Sequence, residues 1–235
     1  RRDRPERIIL MRHGESMGNV DHTEYSRTPD WRVELTPKGR EQARHAGEAL
    51  RALNVTGELL CVYSSPYMRC QQTLAAVLQG AGIDKGGLAF HRQEPRLREQ
   101  DFGNFQDPSS MEAVFAERQA FGRFYFRFPD GEAGTDVFDR VAAFITYLFR
   151  TMGRTGYFED GDDPRSAPAQ NYVLVTHGLL MRIFCMCYFG WTVREFEQIW
   201  NPSNGEIWVL QKVEGMGTYE LQGRYKASRT TEGRF

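Results

Sequence analysis

No run in this chain approaches the roughly 20 apolar residues that span a bilayer, and the first six residues are charged where a secretion signal would be apolar. The chain is therefore expected to be soluble and cytoplasmic, with no membrane partner. Charge of one sign is also lacking. A formal net charge of −1, with acids and bases intermixed, gives no global attraction to nucleic acid, so any anion the protein binds must be held locally. Four cysteines in 235 residues are too few for a disulfide scaffold. Cys185 and Cys187 lie inside the apolar stretch "LLMRIFCMCYF", where packing explains them better than metal ligation. Neither an internal repeat nor a linker with a clear shift of composition divides the chain. Residues 1–235 are read as a single domain, with 40% hydrophobic residues to form its core.

What is present is alternation. Short apolar runs at 7–11, at "LLCVYSS" from Leu59 and at "NYVLVTHG" from Asn171 read as buried strands, and "GEIWVLQKV" adds one more. Between them, "LTPKGREQARHAGEALRAL" reads as a helix capped by Thr36 with Pro37 in its first turn. A second helix is expected from "SSPYMRCQQTLAAVL" with Ser65 as its cap. A third begins near Thr135, turning Val137, Val141, Phe144, Ile145 and Leu148 inward. This order predicts an α/β three-layer sandwich, a mainly parallel sheet flanked by helices. Residues 101–129, dense in Phe, Tyr and Arg, are expected to form a small helical cap over the sheet edge, an ordinary amphipathic helix with its loops being the alternative. Residues 153–170 read as a mobile surface loop and 223–235 as a polar tail.

Ligands of an open parallel sheet bind beyond the carboxyl ends of its strands. Here the runs end in Arg12 and His13, in Ser64, Ser65 and then Arg69, and in Thr176, His177 and Gly178. Two arginines and two histidines would converge if these strands are neighbours. Arginines at the ends of buried strands require an anion, and phosphate matches their planar fork. Two histidines could instead serve zinc, but the chain has no H-E-x-x-H and no Cys-His cluster, so no metal and no cofactor is expected.

"RHGES" after a strand, "LTPKGREQA" opening a helix, "SSPYMRCQQT", "LREQDFG" and "VTHG", in that order over residues 7 to about 182, resemble the motif set of the histidine phosphatase superfamily. That group includes the cofactor-dependent phosphoglycerate mutases, and the nearest likeness is to a plant-type phosphoglycerate-mutase-like group. The resemblance implies a phosphoglycerate mutase-like fold with His13 as a nucleophile that becomes a phosphohistidine. Arg12, Arg69 and His177 would bind the transferring phosphoryl group, Asn19 and the Gly178 amide would line the pocket, and Glu99 would be the proton donor. Asp101 is the alternative acid on the same loop.

Two departures from the mutases bear on function. Gly18 stands where they usually carry tryptophan, and the stretch from Glu99 to Arg140 is short and lacks their adjacent arginine pair. A smaller cap excludes water less well, so the expectation is a metal-independent phosphomonoesterase rather than a mutase. Arg123 and Arg127, four apart in the cap, are candidates for a second anionic group of a phosphorylated small-molecule substrate, though a phosphoprotein also fits. A phosphoryl-group mutase and a catalytically silent phospholigand-binding protein are the competing readings. Oligomeric state is not encoded in any pattern found.

Overall fold

The computed structural model describes residues 4–53, 60–84, 87–103, 108–152 and 171–222. The loop expected at 153–170 and the tail at 223–235 lie outside the described residues. Six strands form one sheet: β1 (Arg7–Arg12), β2 (Leu60–Ser64), β3 (Leu88–Gln93), β4 (Asn171–Thr176), β5 (Ile207–Lys212) and β6 (Tyr219–Leu221), in the spatial order β3-β2-β4-β1-β5-β6. The pairs β3/β2, β2/β4 and β4/β1 are parallel, whereas β5 pairs antiparallel with β1 and with β6. The architecture is the expected α/β sandwich on a mainly parallel sheet.

Strand side chains alternate between faces, so a strand covered on both sides is apolar at every position. In β1, Ile8 and Leu10 enter one core and Ile9 and Met11 the other. The first core packs against α5 (Gly134–Thr151) and α6 (Gly178–Phe189) through Val141, Phe144, Leu180 and Phe184. The second packs against α2 (Pro37–Ala52) and α3 (Met68–Ala81) through Ala43, Leu50, Leu74 and Val77. The other α-helices among the described residues are α1 (Met17–Val20), α4 (Pro108–Phe121) and α7 (Val193–Gln198).

Thr36 caps α2 as expected, its hydroxyl accepting from Gly39 N at 2.9 Å. The expected cap of α3 is corrected. That helix begins at Met68 with Tyr67 as its cap residue, and the Ser65 hydroxyl accepts from Tyr67 N at 3.3 Å while lying 2.9 Å from His177 Nε2. The sequence reading also passed over β3, whose "LAFHRQ" grades from partly buried to exposed because it is the edge of the sheet. That omission matters, since β3 feeds the turn Pro95–Leu97 and then Glu99.

Residues 101–129 contain α4 and an aromatic cluster in which Phe128 is edge-on to Phe102, Phe115 and Phe126, at centroid distances of 5.0, 5.7 and 5.3 Å. This segment forms a wall of the cleft described next, as a cap does.

Candidate active site

Because β1, β2 and β4 run parallel, their carboxyl ends share one sheet edge, with Arg12 opposite Thr176 and Ser64 opposite Val175. Residues 201–206 reach the same edge because β5 runs the other way; Pro202 accepts from Arg12 Nη1 at 2.6 Å, and Asn204 Nδ2 donates to the His13 carbonyl at 3.2 Å. Sequence reading gave this loop no role. Above the edge lies a cleft of about 860 Å³, lined in part by Arg12, His13, Asn19, Arg69 and Glu99.

His13 follows β1 and is 3% exposed. Its Nδ1 lies 2.7 Å from the Gly14 carbonyl oxygen, which can only accept, so Nδ1 carries the proton and Nε2 keeps its lone pair. Burial, then the positive charges of Arg69 and Arg12, hold its pKa well below the ordinary 6.5, so the ring is neutral. His177 caps α6 with its ring 5.2 Å from that of His13, and its pKa is also held well down, first by burial and then by Arg69. His177 Nε2 lies 2.9 Å from Ser65 Oγ, which accepts from Tyr67 N at 3.3 Å, and 3.6 Å from Cys70 Sγ. His177 Nδ1 has no hydrogen-bond partner among the described residues and is buried 3.7 Å from Glu99 Oε2; carrying the ring proton, it would be a donor without an acceptor. A buried donor with no acceptor is costly unless a ligand completes it.

Arg69, on the first turn of α3, is 2% exposed and lies over the Tyr67 ring. Its Nη1 donates to the backbone and carboxylate oxygens of Asp30, each at 2.7 Å. Burial disfavours its charge, but Asp30 together with Tyr25, Cys70 and Glu99 outweighs burial and holds the pKa above the ordinary value. Arg12 has one nitrogen, Nε, with no partner among the described residues, and burial lowers its pKa. The Asn19 carbonyl oxygen accepts from Ser16 N, Ser16 Oγ and Asn204 Nδ2 at 3.0, 3.1 and 3.0 Å, so its NH2 is the group it can offer a ligand. Gly178 begins α6 where a Cβ would come within 2.5 Å of the Asn201 side chain, so glycine keeps the helix N-terminus close to the site.

Glu99 is held in place by α5. Arg140 Nη1 donates to the carbonyls of Arg96 (2.7 Å) and Arg98 (2.9 Å), and Nη2 to that of Glu99 (3.0 Å). Burial raises the Glu99 pKa against the pull of Arg69 and of the Gln100 amide at 3.0 Å. Asp101, the other candidate acid, is exposed and accepts from Gly103 N at 2.9 Å.

Of the two cap arginines, the structure brings only Arg123 to the cleft. Arg127 is corrected: its side chain is 59% exposed and bound to Asp136 at 2.6 Å. The spacing of four assumed a helix, but α4 ends at Phe121 and Gly122 turns the chain at φ +109°. Sequence reading missed Arg118 and Arg182, which also line the cleft, and Tyr25, whose phenol is pushed up to about 12 by burial. Arg182 had a visible signal, a single charge in a helix otherwise apolar on every side. Gly18 is explained as well, since a Cβ there would stand 2.5 Å from the Tyr25 hydroxyl.

A neutral imidazole beside buried arginines in a cleft at the carboxyl edge of a parallel sheet suits an oxyanion ligand such as a phosphate. Residues 8–223 match the Histidine phosphatase superfamily (branch 1), and the chain belongs to that family. Among its relatives, a phosphoglycerate mutase-like protein of Arabidopsis thaliana is 45% identical over 215 residues, covering 88% of this chain and 74% of the other. A broad-range acid phosphatase of Saccharomyces cerevisiae is 32% identical over 305 residues, covering 93% and 89%. The solved structure of a mycobacterial glucosyl-3-phosphoglycerate phosphatase superposes with a TM-score of 0.66 at 22% identity, over 95% of this chain and 99% of the other. A mycobacterial hydrolase does so with 0.69 at 21%, over 95% and 100%. At those identities the two structures establish the shared fold. Among the described residues no cluster of three His, Cys, Asp or Glu could hold a metal ion, and no helix is long and apolar enough to cross a membrane.

Proposed function

We propose that this protein is a phosphomonoesterase that works through a covalent phosphohistidine on His13, with Glu99 as general acid and then general base. The observation that carries the reading is the 2.7 Å contact from His13 Nδ1 to the Gly14 carbonyl, which leaves a bare Nε2 lone pair in a cleft lined by arginines. Nε2 attacks phosphorus, the P–O bond to the leaving group breaks, and Glu99 gives its proton to the departing alkoxide. Water then attacks phosphorus while Glu99 takes its proton, the P–N bond breaks with its electron pair returning to His13 Nε2, and inorganic phosphate leaves. Arg12, Arg69, the His177 Nδ1–H, the Asn19 amide and the first amides of α6 stabilise the equatorial oxygens, each such donor contributing roughly 100-fold to 1000-fold in rate.

The raised pKa of Glu99 keeps a proton available for the first step, which favours it over the exposed Asp101. Hydrolysis rather than transfer to a second substrate is supported by the short stretch from Glu99 to Arg140, and by the acid phosphatase among the relatives.

The test is phosphate release from a panel of phosphorylated metabolites and phosphopeptides with EDTA present, comparing wild type with His13→Ala. Wild-type release that persists in EDTA and disappears in the variant is expected. Release that survives in the variant refutes the covalent mechanism.

A further inference from the structure

The far wall of the cleft holds a second group of cations that the phosphoryl site does not use. Arg118 comes from the cap helix α4, Arg182 from the middle of α6, and Arg123 from the turn between α4 and α5. All three line the same cleft as His13. Arg182 is 2% exposed, lies over the Phe196 ring, and spends Nη2 on the Phe196 carbonyl at 2.9 Å. Arg118 lies over the Phe128 ring and donates through Nη2 to Gln100 Oε1 at 3.3 Å. In both, Nε is buried with no partner among the described residues.

Glu197 lies 4.0 Å from Arg123 Nε through one oxygen and accepts from Phe124 N at 2.9 Å through the other. Glu99 attracts Arg118 and Arg182 at longer range, without an ion-pair contact to either. Burial, with mutual repulsion, pushes Arg118 down to about 10 and Arg182 down to about 9. Among the described residues Arg118 and Arg182 thus have no carboxylate within ion-pair distance, and Arg123 has Glu197 at 4.0 Å. Buried cations with unsatisfied N–H groups are unfavourable unless a ligand supplies the missing anion.

We propose that Arg118, Arg182 and Arg123 form a second-anion subsite, so that the preferred substrates are phosphoesters whose leaving group carries a further carboxylate or phosphate. The proposal rests on reading the His13 cleft as the phosphoester site. It gives Arg118 and Arg182 a binding role that the transfer of the phosphoryl group itself does not require. Arginine forks suit either oxyanion, and the unused Nε of each gives the bound group an in-plane donor.

Binding of stable phosphonates, measured by calorimetry, tests the subsite without depending on turnover. Phosphonoacetate, phosphonopropionate and phosphonobutyrate are compared with ethyl-, propyl- and butylphosphonate, and bisphosphonates of the same chain lengths distinguish a second phosphate from a carboxylate. At one or more lengths the doubly anionic ligand is expected to bind about tenfold tighter or more, with that advantage lost in Arg118→Gln and in Arg182→Gln. Glu197→Gln, which keeps an acceptor for Phe124 N, is expected to enlarge the advantage by removing the competing carboxylate. Equal binding of the paired ligands by wild type, or an advantage unchanged in Arg118→Gln, overturns the proposal. If Arg182→Gln fails to fold, Arg118→Gln on the cap helix decides. Loss of phosphate release in the wild type would instead count against the catalytic reading, since these affinities do not require turnover.

Discussion

At the scale of single residues, protonation states carry the chemistry, and they can be tested by pH. The nucleophilic step needs His13 neutral and Glu99 protonated. The depressed His13 pKa extends that window to lower pH, and the raised Glu99 pKa sets its upper limit. Single-turnover phosphorylation by an alkyl phosphate is therefore expected to fall as pH rises through the Glu99 pKa, and Glu99→Gln should abolish that limb. The same variant should lose roughly 100-fold to 10,000-fold in rate on alkyl phosphates, and far less on an aryl ester whose phenolate departs unaided. An equal loss on both esters would remove Glu99 from the role of acid. Stability follows a separate sign. His13 and His177 bind protons below pH 6.5 in the unfolded chain but resist them when folded, so unfolding free energy should decline as pH drops below that value. Denaturant titrations of His177→Asn should show a shallower decline than wild type.

At the scale of elements, the loop after β1 is clamped onto the start of α2. Thr36 Oγ1 donates to Glu15 Oε1 at 3.0 Å while accepting from Gly39 N, and a Cβ on Gly39 would stand 2.0 Å from the Glu15 carbonyl oxygen. Thr36→Ala is expected to cost about 1 kcal/mol through loss of the cap. Gly39→Ala should cost roughly 1–3 kcal/mol or more, because backbone must move to admit the methyl. Urea unfolding measures both. Arg140 plays the matching part for the other side of the cleft, holding the carbonyls of Arg96, Arg98 and Glu99 from α5. Lysine has no fork, so Arg140→Lys should lower kcat while leaving KM close to wild type. A change confined to KM would place Arg140 in substrate binding rather than in positioning Glu99.

At the scale of the whole molecule, β1 lies in the middle of the sheet between β4 and β5, so early and late segments of the chain are interleaved rather than stacked as separable halves. The two cores are the two faces of that one sheet, and both use β1, β2 and β4. Residues 1–235 are therefore expected to unfold as one unit, with far-ultraviolet and near-ultraviolet circular dichroism giving coincident transitions. Separate transitions would divide the chain into independently stable parts.

The sequence by itself determined the layers and half of the cleft. Short apolar runs bounded by turn residues read as strands covered on both faces, and Arg12, His13 and His177 are legible because they end or follow such runs, where neighbouring parallel strands present them together. Helix periodicity likewise placed the inward face of α5. The edge strand β3 escaped because its burial is graded, so Glu99 was assigned by resemblance rather than by its place at a strand end. Only the tertiary structure decided which cations share the cleft. A spacing of four paired Arg123 with Arg127, but the turn at Gly122 sends Arg127 to Asp136, while Arg118 and Arg182 meet Arg123 from different helices. Periodicity reads neighbours within one element, and convergence of several elements on one wall is set by how they pack.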